Sequence, residues 1–166
     1  MFISTITEEN VSDYMKQLKA EFPKLEIHSR RPSWLEWIFY LPGIRNLEWD
    51  NSTQVIGDNI YLSNEWQNYS PVMKLQILRH ERMHLLQYEK YGAIIMALLY
   101  LFFFFPIGLA YFRARCEREG CAEGLAARVE FFGASDALKE YQRKRYVQTF
   151  CGSTYLWMWP FKKTVL

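Results

Sequence analysis

The chain has 166 residues, half of them hydrophobic, enough for one domain with a real core and too few for two comfortable ones. Lys+Arg 20 against Asp+Glu 18 leaves a formal charge of +2, and no run of basic residues offers a nucleic-acid surface. Three cysteines, Cys116, Cys121 and Cys151, form no CxxC pair and are odd in number, which argues against a disulfide framework and a thiolate zinc site and points to a reducing compartment.

The opening "MFISTITEEN" has neither a basic n-region nor an apolar h-region, so no secretory signal is read and the expected location is cytoplasmic. Val11 to Phe22 follows as a short amphipathic helix, with Tyr14, Leu18 and Phe22 at helical spacing and Pro23 as its stop. "LEIHS" then alternates like a strand. "TQVIGDNIYLS" is a hairpin signal, with strands Thr53–Ile56 and Ile60–Leu62 meeting at Gly57, Asp58 and Asn59. Ser70 and Pro71 are an N-cap hydroxyl and a first-turn proline, and nothing breaks the helix they begin before Gly92. Two further helices are expected, from about Phe112 to Phe132 and from Ser135 to about Phe150.

Ala93 to Phe112 is an apolar run of 20 residues without a charge, which by length alone would suit a transmembrane helix. Pro106 and Gly108 divide it. The uninterrupted part, Ala93 to Phe105, would be about 20 Å long as a helix against a hydrocarbon core of about 30 Å. A buried or membrane-dipping hairpin, with peripheral membrane contact, is therefore expected rather than a span. Aromatic residues make up 17 % of the chain and gather in "WLEWIFY", "LYLFFFF" and "TYLWMWPF". The last of these, Tyr155 to Phe161, would either pack on the core or occupy a cleft.

The chemistry lies in "LRHERMHLLQ", Leu78 to Gln87. Residues four apart stack on one helix face, so His80 and His84 can point imidazole nitrogens at one ion, and zinc is the cofactor this implies. Glu81 adjoins His80 on the same side and can take a proton from an attacking water without being a ligand. His80, Glu81, His84 and Tyr88 all fall within about 60° of Ile77 on a helical wheel and form one stripe. His28 stands alone in "LEIHS" and is assigned no role.

A catalytic zinc wants a third protein ligand. The candidates are the carboxylates of "RCEREGCAEGLAARVEFFG": Glu117, Glu119, Glu123 and Glu130. Gly120, Cys121, Gly124, Phe131 and Phe132 lie within about 60° of Glu117, whereas Glu119, Glu123 and Glu130 gather at about 200° to 240°. A lone carboxylate on an apolar, glycine-bearing face is costly unless paired or bound to a cation, so Glu117 is the first choice and Glu119 the substitute. Glu119, Glu123 and Glu130 otherwise read as a solvated stripe. Gly120 and Gly124 would let this face approach the HERMH helix closely. Arg128 shares it and could pair with Glu117 or polarise a substrate carbonyl.

HERMH followed, after a spacer, by an acidic helix resembles the gluzincin type of zinc metallopeptidase. "RARCEREGC" is similar to the E-x-x-A-D helix of membrane-associated CAAX-type and HtpX-type peptidases, with Glu117 at the ligand position, Gly120 for the alanine and Cys121 for the aspartate that braces a histidine. The other frame, Glu119 with Ala122 and Glu123, resembles the ligand helix of anthrax lethal factor. "IGDNIYLSNEW" leading into "ILRHERMHLLQYEKYG" also looks like small gluzincin-like proteins of bacteria and their phages, in which an HExxHxxQ helix, an apolar spacer and an ExE helix recur. The resemblance covers about Val55 to Phe132.

The resemblance implies an α+β fold, a mainly helical zincin-like minidomain with a small antiparallel sheet before the HExxH helix and the apolar segment 93–112 between the two metal-binding helices. It implies hydrolysis of peptide or protein substrates, with zinc held by His80, His84 and Glu117, Glu81 as general base and strand Ile60–Leu62 aligning an extended peptide along its edge. Gln87 reads as a packing group or a support behind the ligands. Two other readings stand beside this: a zinc-stabilised structural or interaction protein, and a membrane-bound protein in which HERMH is incidental.

Overall fold

A computed structural model describes residues 6–29, 52–101 and 109–134, together with positions 32, 147 and 151. Along these residues run α1 (Glu8–Glu21), β1 (Glu26–His28), β2 (Gln54–Ile56), β3 (Asn59–Tyr61), α2 (Pro71–Tyr91), α3 (Ala93–Leu101) and α4 (Leu109–Phe132), with a single 3-10 turn at Trp66–Asn68. This is the expected α+β chain, mainly helical with a small sheet before the HERMH helix.

Capping explains the helix limits. At α1 the Thr7 backbone N–H donates to Asn10 Oδ1 at 2.9 Å, and Glu8 and Glu9 favour the positive end of the helix dipole. At α2 the Met73 N–H donates to Ser70 Oγ at 3.3 Å, Pro71 takes the first position, and the chain leaves the helix at Gly92. Gly92 has φ +80°, a left-handed conformation that glycine adopts without steric cost. Its N–H donates to Tyr88 O at 2.8 Å. HERMH therefore sits in the middle of α2, away from fraying ends.

The sheet corrects one expectation. β2 and β3 form the antiparallel hairpin, turning at Gly57 (φ +59°), but β1 joins the other side of β3 in parallel, so the sheet is mixed, with order β1-β3-β2. Alternation marks a strand without naming its partner, and the chain between His28 and Gln54 is long enough for the crossover a parallel pair needs. β3 is thus bonded on both sides, so Ile60–Leu62 has no edge on which to align a peptide.

The core lies between α1, the sheet and one side of α2, where Val11, Leu18, Leu25, Ile60, Trp66, Leu75, Leu78 and Leu85 are buried together. α4 covers the other side of α2, and α3 touches both. α4 begins at Leu109, three residues before the expected start, and takes up the end of the apolar run. No helix among the described residues is long and apolar enough to cross a membrane. Apart from position 147, the expected helix Ser135–Phe150 lies outside the described residues, as do the segment 34–40, the phenylalanines 102–105 and the tail 155–161.

Candidate metal centre

α2 has two dissimilar faces. Leu75, Leu78 and Leu85 enter the apolar core, while His84, Gln87 and Glu81 are buried on the remaining surface together with the partly covered His80. On α4 the residues Arg113, Glu117, Gly120, Gly124, Ala127 and Phe131 are spaced alternately by four and three, with Glu117 and Gly120 against that polar surface and Phe131 against the apolar core. Such a repeat of 3.5 keeps one seam against a partner helix. Here the seam holds charge and glycine in place of leucine.

His80 Nε2 lies 3.1 Å from His84 Nε2, and Glu117 Oε2 lies 3.6 and 3.8 Å from them. Ligands about 2.0–2.1 Å from a tetrahedral ion stand about 3.3 Å apart, and a point about 2.0 Å from all three of these atoms exists. Two imidazoles and one carboxylate are also a donor set that zinc accepts. Among the described residues these three are the one His/Cys/Asp/Glu group close enough to hold an ion.

The approach of the helices depends on Gly120. A Cβ there would lie 2.7 Å from His80 Cε1 and 2.8 Å from Nδ1, inside contact distance, whereas a Cβ at Gly124 would meet only the Gln76 carbonyl oxygen at 3.8 Å. Of the two glycines expected to permit close packing, one is required. Cys121 is in polar contact with His80 and favours the charged ring.

The structure separates the four candidate carboxylates. Glu117 joins the histidines; Glu119 instead accepts from Gln87 Nε2 at 2.9 Å and from Arg115 Nε at 3.4 Å. Glu123 and Glu130 both accept from Arg79 of α2, with Glu123 Oε1 at 2.6 Å from Nη2. The expected solvated stripe is therefore an inter-helix clamp: positions flanking a helix seam lie within reach of a long arginine. Arg128 sits over the Phe132 ring, and the guanidinium acting on Glu117 is that of Arg113, buried one turn earlier on α4. The i,i+4 spacing of Arg113 and Glu117 was the available sign of this. His28 bonds Asn59 Oδ1 at 2.8 Å and stacks on Tyr61, within the sheet.

Burial and charge set the proton states. Burial opposes ionisation of Glu117, but His84, His80 and Arg113 outweigh it and hold the carboxyl down at about 2. Glu81 is pushed up to about 8 by burial, against the pull of His80 and with the added repulsion of Glu117. Burial disfavours protonated His80, yet Cys121, Glu117 and Glu81 raise it well above the usual histidine range; His84 is lowered, chiefly by burial. The metal-free cluster thus pairs an ionised Glu117 with a protonated His80. The Cys116 thiol, pushed up to about 11 by burial, is no thiolate donor.

No protein-family model matches the chain, and no curated protein or solved structure matches it. The gluzincin resemblance therefore rests on the residues alone.

Proposed function

We propose that the chain is a zinc-dependent metallopeptidase in which His80, His84 and Glu117 hold the metal and Glu81 is the general base. One observation carries this reading: three donor atoms from two helices converge around a point of ionic size, and a buried carboxyl adjoins them on α2. Bound there, zinc would supply Lewis-acid polarisation of a scissile carbonyl and of a water. Glu81 would take the proton of the attacking water and pass it to the leaving amine, a role suited to a carboxyl freed from competing bonds. Among the described residues no hydrogen bond ties Glu81 inward, which favours hydrolysis over the zinc-stabilised structural reading.

The surroundings of the centre fit a lipid surface. Ile94, Ile95 and Leu98 on α3 and Phe112 on α4 are exposed, and the exposed cations Lys90, Arg115 and Arg118 flank the uncharged run. Apolar side chains rimmed by cations suit peripheral contact with an anionic bilayer. The protein should float with phosphatidylserine-containing vesicles and the Ile94→Asp/Leu98→Asp variant should not; a wild-type chain that stays at the bottom of the gradient refutes the contact.

Metal analysis with a peptide-hydrolysis assay tests the main reading. Wild type should carry one zinc, His84→Ala and Glu117→Gln should lose it, and Glu81→Gln should keep it while losing about 10²–10⁴ in rate. A wild-type chain without zinc after reconstitution sinks the proposal. Zinc retained with no hydrolysis of a diverse peptide library would turn the reading to the structural one.

A further inference from the structure

Gln87 is the most completely used polar side chain behind the centre. It is 3 % exposed and lies one turn beyond His84 on α2. Its Oε1 is 2.9 Å from His84 Nδ1, and its Nε2 donates to Glu119 Oε2 at 2.9 Å and to the Cys116 carbonyl oxygen at 3.2 Å. A carboxylate and a carbonyl are acceptors only, so both amide hydrogens are committed to α4. Rotating the amide by half a turn would set its oxygen against two acceptors and leave its nitrogen toward His84. The orientation is therefore locked, and Oε1 is what His84 meets.

An oxygen acceptor at Nδ1 requires that this nitrogen carry the proton. The lone pair of neutral His84 is then on Nε2, the atom facing His80 Nε2 and Glu117 Oε2. An imidazole offers a metal only its unprotonated nitrogen, and the bond at the other nitrogen decides which one that is. We propose that Gln87 and Glu119 are positioning residues that act as one unit, Glu119 fixing the Gln87 amide and Gln87 fixing the tautomer and ring orientation of His84, and that the pair thereby sets the metal affinity of the centre. This rests on the metal-binding reading above, and gives Glu119 a task behind the ligands, through Gln87, in place of the ligand role open to it in the sequence.

The test compares wild type, Gln87→Leu, Glu119→Leu and the double variant by zinc competition against a chromophoric chelator, with the cobalt(II) d–d spectrum and the ¹⁵N shifts of the metal-free histidines as independent readouts. Gln87→Leu should weaken zinc about 10–100-fold at unchanged one-to-one stoichiometry, and Glu119→Leu by less, since the Cys116 carbonyl still holds one amide hydrogen. The double variant should be no weaker than Gln87→Leu, because Glu119 acts through Gln87. His84 should be Nδ1-protonated in wild type and mixed in Gln87→Leu, with the cobalt bands shifted. Wild-type affinity and spectra in Gln87→Leu overturn the inference, as do losses that multiply in the double variant. If Gln87→Leu fails to fold, Glu119→Leu decides alone: unchanged zinc affinity and His84 shifts overturn it. A wild type that binds no ion removes the centre and this inference together, whereas wild-type binding with unaffected variants removes the inference only.

Discussion

The two sides of α2 are held by different physics. Toward α1 and the sheet, Leu75, Leu78 and Leu85 pack among apolar neighbours, with Leu78 fully buried; toward α4, two histidines of α2 and four carboxylates of α4 that bond α2 side chains, with a glycine between them, take their place. The first side gains stability from area removed from water and tolerates imprecision. The second gains little from burial and depends on each polar group meeting its partner, so it is specific where the first is strong. One helix thus serves as both the anchor of the fold and the floor of the site.

Breaking the apolar side should have the largest effect on stability. Leu78→Ala is expected to cost about 2–5 kcal/mol in urea unfolding while the folded fraction keeps its metal stoichiometry. A loss of metal larger than the loss of folded protein would mean that the two sides are not separable.

The glycines sharpen the comparison on the polar side. Gly120→Ala forces a methyl into the His80 ring and should cost about 1–3 kcal/mol and weaken zinc together, whereas Gly124→Ala meets only ordinary contact and should be neutral or stabilising by up to about 1 kcal/mol. Equal melting temperatures and zinc affinities in the two variants would contradict the close approach at Gly120.

The protonation of Glu81 gives a pH signature. Its folded pKa of about 8 lies above its ordinary 4.5, so the metal-free folded chain keeps a proton that the unfolded chain releases across this window. This contribution is full below pH 4.5 and lost as pH rises toward 8. With a chelator present, wild-type stability should therefore fall more steeply over that range than that of Glu81→Gln. Parallel curves would place Glu81 in a more hydrated setting.

Arg79→Ala should give the smallest change, about 0.5–1 kcal/mol, because its partners Glu123 and Glu130 remain partly exposed and water screens the pairs. Its effect should shrink in 1 M salt in thermal melts.

By itself the sequence determined the local elements and the two histidines. Ser70-Pro71 and Gly92 bound α2 because capping is written in adjacent residues, and His80 and His84 share a face because helical spacing allows nothing else. Glu117 was legible for the same reason, as a lone acid on a glycine-bearing face. Tertiary structure alone decided the parallel pairing of β1 with a β3 that has no free edge, the Arg79 clamp on Glu123 and Glu130, and the need for glycine at 120 but not at 124. Each of these depends on how far two separately encoded elements approach and at what rotation, and no periodicity within one element carries that information. The line from His84 through Gln87 to Glu119 is the clearest case: all three residues are visible in the chain, but only the packing of α4 on α2 turns a helix-surface glutamine and a spare carboxylate into a fixed hydrogen-bonded support.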